Sequence, residues 1–218
     1  MTRLQVVETL RRAGRATPWL SLAASLAGLL LSFGAAGSPR AYALSPARLF
    51  DGELLRLWTG HFVHYNAPHL WGDLLAFAAW ATAVELTSRR LLALTLFCAT
   101  PLLSLAILLT CPELTEYRGL SSLDCALVTE LVLVRGFGIG SSSSRSGAGP
   151  LRTLALVSAS AFALKCIYEL ASGHAVFARD LGPGVTLVVL AHPLGALAGV
   201  AAVLCARSRA LASTACTS

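Results

Sequence analysis

The chain has 218 residues, of which 56% are hydrophobic and 13% charged, and its formal net charge is +6 at pH 7. Soluble domains average about 25% charged residues, so this composition excludes an ordinary soluble domain and indicates an integral membrane protein. The excess of arginine forms no stripe interleaved with aromatic residues, so it does not indicate nucleic acid as a partner.

Apolar segments that are long enough to cross a bilayer follow one another along the chain. A hydrocarbon core of about 30 Å takes roughly 20 residues of helix. The pattern predicts an all-α polytopic membrane protein with one six-helix domain, residues 18–206, between a cytoplasmic N-terminal segment, 1–17, and a cytoplasmic tail, 207–218. The predicted spans are Pro18–Ala36, Pro68–Leu86, Leu91–Thr110, Gly119–Val134, Leu151–Ala171 and Val185–Ala206.

The first span has an alternative interpretation as a cleaved secretory signal. Arginines precede it, and Ala41-Tyr42-Ala43 resembles a cleavage site. Its apolar run is longer than the roughly 7–15 residues of a signal sequence, which favours a retained anchor.

Arginine placement predicts the orientation, because positive charge near span ends resists translocation. One predicted side holds Arg3, Arg11, Arg12, Arg15, Arg89, Arg90, Arg135, Arg145, Arg152, Arg207 and Arg209, and the other holds Arg40, Arg48, Arg56, Arg118 and Arg179. Both termini are therefore predicted to be cytoplasmic.

The connections carry little chemistry of their own. Residues 37–67 are amphipathic and are expected to pack on the bundle or lie in the interface, and the glycine- and serine-rich residues 135–150 are typical of a linker. The spacing of His61, His64 and His69 is not a zinc pattern, and the six cysteines show no ligand-like spacing. We therefore predict no metal and no organic cofactor.

Polar residues recur at one end of the even-numbered spans, where ionisable groups are costly and often functional. His69 and Asp73 begin the second span, Ser121, Ser122 and Asp124 the fourth, and His192 the sixth. With the N-terminus inside, these three sets meet in the outer half of the bundle. The fourth span is short, about 24 Å at 1.5 Å per residue, so Ser121 is expected to be recessed and level with His192.

The residues between these polar groups predict a close helix contact. Gly195 and Gly199 form a G-x-x-x-G on the face of His192, and the fourth span offers small residues in return. One interpretation is tight packing with a histidine hydrogen-bonded across the contact. The other is a serine nucleophile with its imidazole base and free backbone N–H groups at a helix start as oxyanion donors.

Other charged residues in the spans favour structural roles. Lys165 and Glu169 are spaced to neutralise each other, Glu130 lies on the helix face opposite Ser121, and Glu85 is expected to anchor the end of the second span. Asp124 is typical of a helix start. A soluble-hydrolase elbow is excluded because Leu123 stands where that motif needs glycine.

Four motifs together resemble rhomboid-family intramembrane serine proteases over about residues 55 to 205: "HFVHYNAPHLWGDLLAF", then Glu85, then "YRGLSSL", then "LAHPLGALAG". The "YRGLS" motif is most similar to the rhombosortase branch, which processes proteins with a C-terminal GlyGly-CTERM sorting tail. The resemblance implies a six-helix rhomboid-like bundle with Ser121 as nucleophile, His192 as base and His69 as an oxyanion donor.

Three positions depart from the family pattern. Asp73 replaces an asparagine donor, and an ionised carboxylate would repel an oxyanion unless it is protonated or hydrogen-bonds His69 one helical turn back. Ser122 replaces a glycine. Cys125 stands where an aromatic residue or histidine is usual, so stacking on His192 is not expected.

The resemblance implies a serine endopeptidase of the bacterial inner membrane whose site opens to the periplasm. Its expected partners are the lipid bilayer and a membrane protein with a transmembrane segment or C-terminal sorting tail. Two alternatives remain: a non-proteolytic rhomboid-like protein that binds transmembrane helices, which usually lacks the serine or the histidine, and a small transporter, which would carry polar residues in both halves.

Overall fold

The structure is a computed structural model that describes residues 17–34, 37–139, 149–173, 176 and 188–215. Within these ranges the chain is helical and has no strands, which confirms the all-α class. The predicted N-terminal segment up to residue 16, most of the linker, and the start of the sixth predicted span lie outside the described residues, together with Arg3, Arg11, Arg12, Arg15, Arg145 and Arg179.

Eight helices are defined here in chain order. They are α1 (Trp19–Ser32), α2 (Pro46–Phe50), α3 (Arg56–Phe62), α4 (Ala67–Thr87), α5 (Arg89–Thr110, with a π-helical turn at Thr95–Ala99), α6 (Ser121–Leu131, continued by a π-helical turn at Val132–Gly136), α7 (Pro150–Ser172) and α8 (Ala191–Ala215). A helix therefore occupies each of the six predicted spans.

Three helices of the described chain are long and apolar enough to cross a membrane: Arg89–Thr110, Arg152–Ser172 and Ala191–Ser208. They indicate a membrane protein. By contrast, α1 is apolar but has 14 residues, α4 has 21 residues but carries Asp73 and Glu85, and α6 has 11 residues before its π-helical turn. The count of six spans and their orientation stay predictions.

The tightest contact in the bundle joins α6 to α8. A Cβ atom on Gly195 would overlap the carbonyl oxygen of Ser122, and one on Gly199 would overlap that of Ala126. Glycines four residues apart therefore face carbonyls four residues apart, so the two helices run parallel and in register. This confirms the close approach predicted from the G-x-x-x-G motif.

Glu85 ties α1 to the end of α4. Its carboxylate accepts hydrogen bonds from the backbone N–H groups of Leu20 (3.2 Å) and Ser21 (2.8 Å) and from Arg89 Nε (2.9 Å). The first N–H groups of a helix have no intrahelical acceptor, and a carboxylate there also complements the helix dipole. The anchoring role predicted for Glu85 is confirmed.

The connection between α1 and α4 packs on the bundle. Leu44, His61 and Val63 are fully buried, and Leu44 pairs its backbone with Tyr117 just before α6. Arg56 donates from Nη1 to the carbonyl of Ala43 (2.7 Å), which fixes the loop before α2. Of the two places expected for this segment, the structure shows packing, and it thereby positions the start of α6.

Candidate active site

A glycine in the left-handed region of backbone conformation sets the entry to α6. Gly119 has φ +130°, and its N–H donates to the carbonyl of Gly60 at 3.3 Å. A Cβ atom there would lie 3.0 Å from His69 Nε2 and 3.3 Å from a carboxylate oxygen of Asp73. Only glycine combines this backbone angle with so close an approach. The turn therefore brings the start of α6 against His69 and Asp73.

Ser121 is the first residue of α6, and its side chain is partly accessible. Its hydroxyl forms no hydrogen bond with any residue that the structure describes. The backbone N–H groups of the first helical turn have no intrahelical acceptor. A half-buried free hydroxyl thus stands beside backbone donors, as a nucleophile next to an oxyanion site requires.

Ser122 has a different environment, although it is the next residue. It is fully buried, and its Oγ lies 2.9 Å from the Tyr117 hydroxyl and 3.2 Å from His61 Nδ1. The other ring nitrogen of His61 lies 2.9 Å from Ser104 Oγ. Burial lowers the pKa of His61 to about 3, so the imidazole is neutral. This serine and histidine form a sealed polar chain that no substrate can reach.

Asp73 joins α4 to the start of α6. Its Oδ2 lies 3.2 Å from His69 Nε2 and accepts the backbone N–H of Leu120 at 3.1 Å. The His69 contact is the one expected from their spacing of one helical turn. The Leu120 contact was not predicted, and it gives the carboxylate a structural role as an acceptor at the start of α6. The roles of His69 and Asp73 toward an oxyanion stay predictions.

His64 completes the surroundings of this carboxylate. Its Nε2 lies 3.6 Å from Asp73 Oδ2, too far for a hydrogen bond, and its Nδ1 lies 3.0 Å from Ser32 Oγ. The rings of His64 and His69 meet edge to face with centroids 5.0 Å apart. Asp73 therefore faces two imidazoles, of which the sequence indicated only one.

His192 is the second residue of α8, and its ring is buried against α7. Its Nδ1 lies 3.0 Å from Glu169 Oε2 without hydrogen-bond alignment, and its Nε2 lies 3.4 Å from Lys165 Nζ. Lys165 and Glu169 also form the predicted ion pair, at 2.9 Å. In the described residues no hydrogen bond joins His192 to Ser121. The pair on α7 is thus more than mutual neutralisation, because it also holds this imidazole.

Two cysteines meet at the contact of α6 with α7. Cys125, one turn after Ser121 on α6, neighbours Cys166 on α7, and Cys166 in turn neighbours His192. The face of α6 that carries Ser121 therefore turns toward α7 and His192.

Two further carboxyl groups of α6 are buried. Glu130 accepts a hydrogen bond from Thr95 Oγ1 on α5, in agreement with its predicted structural role. Asp124 is also buried, and its Oδ1 has no hydrogen-bond partner among the described residues. In the described part of the chain no three histidine, cysteine or acidic side chains are arranged to hold a metal ion.

Comparison with known proteins gives no match: no family model, curated protein or solved structure is similar enough to assign the chain. The resemblance to rhomboid proteases therefore depends on the four sequence motifs.

Proposed function

We propose that this protein is a rhomboid-like intramembrane serine endopeptidase in which Ser121 is the nucleophile and His192 is the base. The parallel register of α6 and α8 carries the proposal. In this parallel contact Gly195 faces Ser122, so His192, three residues before Gly195, is level with Gly119, two residues before Ser121. Ser121 and His192 therefore both lie in the first turns of neighbouring helices. The free Ser121 hydroxyl and the sealed Ser122 hydroxyl support the choice between the two serines.

The charges around His192 favour the tautomer that a general base needs. A carboxylate can only accept a hydrogen, so Glu169 beside Nδ1 favours a proton on that nitrogen. An ammonium can only donate, so Lys165 beside Nε2 favours a lone pair there. The Nε2 lone pair takes the serine proton when Lys165, whose Nζ lies 3.4 Å away, moves off it to donate to Glu169 alone. Glu169 then acts as a positioning residue that also stabilises the imidazolium.

The reaction follows from these positions. Ser121 Oγ attacks the scissile carbonyl carbon while its proton passes to His192 Nε2, and the carbonyl oxygen becomes an oxyanion. The imidazolium returns this proton to the departing amine as the C–N bond breaks. Water, deprotonated by the same imidazole, then hydrolyses the acyl-enzyme. A resting site often lacks the hydrogen bond between nucleophile and base until substrate arrives.

Oxyanion stabilisation is assigned to the N–H groups at the start of α6 and to His69. The N–H of Leu120 is occupied by Asp73, which leaves that of Ser121 as the backbone donor. Asp73 stabilises positive charge on His69 across 3.2 Å, so its carboxylate helps His69 to donate. This assigns Asp73 an indirect role where rhomboids carry a direct asparagine donor.

The proposed substrate is a membrane-anchored protein, processed as the rhombosortase resemblance implies at a C-terminal GlyGly-CTERM sorting tail. An intact helix hides its carbonyls from a nucleophile, so the cleaved segment must unwind locally. With both termini cytoplasmic, the site opens to the periplasm of a bacterial inner membrane, and no cofactor is required.

A non-proteolytic protein that binds transmembrane helices is the second candidate. One observation favours it: both ring nitrogens of His192 already contact Lys165 and Glu169. The burial of this imidazole is therefore explained without a contact to Ser121. The two candidates differ in whether Ser121 is reactive.

The test is cleavage of a reporter with a GlyGly-CTERM tail in membranes, together with labelling by a fluorophosphonate. We expect Ser121→Ala and His192→Ala each to lower cleavage about 10³-fold or more and to abolish labelling. Ser122→Ala is the matched control, because it removes the adjacent hydroxyl. It is expected to keep cleavage within about tenfold while it lowers stability by about 1 kcal/mol through lost buried hydrogen bonds.

If cleavage were retained in Ser121→Ala and lost in Ser122→Ala, the nucleophile would be Ser122, and the assignment of Ser121 would be wrong. Absence of both cleavage and labelling in a folded wild-type protein would favour the helix-binding candidate.

A further inference from the structure

A cavity of about 320 Å³ opens between the end of α1 and the start of α4. Its lining includes Ser32, Phe33, Arg40, His64, Tyr65 and Arg118. Neither Ser121 nor His192 lines it, so the proposed peptidase reaction does not account for its chemistry.

The cavity carries a surplus positive charge. Arg40 Nε lies 3.2 Å and Arg118 Nη2 lies 2.8 Å from the two carboxylate oxygens of Glu116. One carboxylate therefore serves two guanidinium groups, and one positive charge remains. The Arg118 guanidinium also lies over the ring of Tyr65, 4.7 Å from its centroid, which fixes its plane against the cavity wall.

Two nitrogen atoms of the lining have no hydrogen-bond partner among the described residues. One is Nε of Arg118, whose side chain is 10% exposed. The other is Nε2 of His64, whose side chain is 1% exposed, but the Asp73 carboxylate lies 3.6 Å from it, so Arg118 Nε is the donor without a facing anion. A buried donor without an acceptor is costly, and such groups in a native protein are usually satisfied by a bound molecule or ion. The Arg118 donor, together with the surplus positive charge, calls for an oxyanion.

The cavity lies beside an exposed aromatic pair. Phe33, which lines it, and Trp71 on α4 have ring centroids 6.3 Å apart, and both side chains are exposed. Exposed Trp and Tyr rings of a membrane protein concentrate at the depth of the lipid headgroups, which places Trp71 at that depth. Phosphate is the oxyanion present at that depth, and guanidinium forks match its geometry.

We propose that this cavity binds a phosphate group, with Arg118 as its central donor and Arg40 at its rim, and that a phospholipid headgroup supplies the phosphate. A phosphodiester carries one negative charge and balances the surplus. Its acyl chains would extend over the exposed surface of Phe33. Free phosphate has the same recognition chemistry, so the test distinguishes the two sources.

The test uses the purified full-length protein in detergent, with phosphatidylglycerol added and bound lipid counted by native mass spectrometry. We expect one retained phosphatidylglycerol per chain, and an apparent Kd weakened about tenfold in Arg118→Gln, as for loss of one charged hydrogen bond. Arg118→Lys keeps the positive charge but loses the planar pair of guanidinium donors, so its apparent Kd is expected to lie between those of wild type and Arg118→Gln. Arg90→Gln is the matched control, since it removes an exposed arginine at the start of α5, beyond the end of α4 that lies away from the cavity.

Diacylglycerol, which has the acyl chains but no phosphate, is not expected to be retained. Resistance of the bound lipid to millimolar inorganic phosphate supports the headgroup as the source, whereas displacement supports free phosphate. Equal lipid retention by wild type, Arg118→Gln and Arg90→Gln would overturn the proposal. So would saturable binding of an acidic peptide where neither phosphate source binds. If Arg118→Gln does not fold, lipid retention is compared between wild type and Arg40→Gln, because Arg40 is exposed at the rim of the cavity.

Discussion

Ser121 and Ser122 are adjacent in the sequence and separate in chemistry. The Ser122 hydroxyl is fully buried and hydrogen-bonds Tyr117 and His61, while the Ser121 hydroxyl, in the first turn of α6, bonds to none of the residues that the structure describes. The sequence supports the choice of Ser121 by motif alone, whereas burial gives a physical reason for it. At the residue scale, the proposed nucleophile Ser121 also needs a base, and the groups around His192 determine whether its imidazole can act as one.

Glu169 is the residue through which we expect His192 to be tuned. Glu169→Gln keeps the shape of the side chain but removes the charge that favours a proton on Nδ1 and stabilises the imidazolium. We expect kcat for the tailed reporter to fall roughly 10²-fold with little change in KM, because the lost interaction acts in the transition state. Fluorophosphonate labelling is expected to slow in parallel, which needs no substrate.

A purely structural role for Glu169 would give a different result. Removing its charge also leaves Lys165 unpaired, so the double variant Lys165→Met/Glu169→Gln restores charge balance. We expect this variant to regain thermal stability without regaining kcat. Glu130→Gln, a buried carboxyl on α6 that contacts Thr95, is the control for loss of a buried charge elsewhere. Wild-type kcat in Glu169→Gln would exclude the positioning role.

At the element scale, the contact between α6 and α8 holds the two candidate residues in register. Gly199 lies one turn deeper than Gly195, against the carbonyl of Ala126, so it reports on helix packing apart from the site. Gly199→Leu forces backbones apart in a close-packed contact, and we expect a loss of about 1–3 kcal/mol. The measurement is thermal unfolding of the purified protein in detergent.

Ala201→Leu is the matched control, because it adds a larger side chain to α8 at an exposed position. It is expected to leave the melting temperature unchanged. A Gly199→Leu variant as stable as Ala201→Leu would contradict the close contact that sets the register of Ser121 and His192.

At the scale of the whole molecule, the sequence predicts what depends on local pattern. Hydrophobic runs placed a helix in all six expected segments, and the spacing of Gly195 and Gly199 predicted a close contact. The one-turn spacing of His69 and Asp73 likewise predicted their contact. These features need only neighbouring residues, because helix periodicity fixes which side chains share a face.

Contacts between distant segments were not accessible in the same way. His61 meets Ser122 across 61 residues, and Glu169 meets His192 from another helix. No spacing rule reports such pairs, because they depend on how the connection from α1 to α4 and helix α7 pack. The sequence raises His61 only as a metal ligand, and it indicates Glu169 only as a partner of Lys165. A histidine or glutamate in an apolar segment signals that a partner exists but does not identify it.

The number of spans is a property of the whole chain that a topology experiment decides. Among the helices that the structure describes, α5, α7 and α8 are long and apolar enough to cross by themselves, whereas α6 and its π-helical turn cover 16 residues, about 24 Å. We expect α6 to cross nevertheless, because its neighbours α4 and α8 shield its polar start from lipid and a bilayer thins around a short span.

If α6 crosses the membrane, the residues before it and the residues after it lie on opposite sides. Alkaline phosphatase fused after Glu113 should then be active, and phosphatase fused after Gly149 inactive. Activity at both positions would mean that α6 does not cross, and the outward-facing site proposed for Ser121 would be wrong.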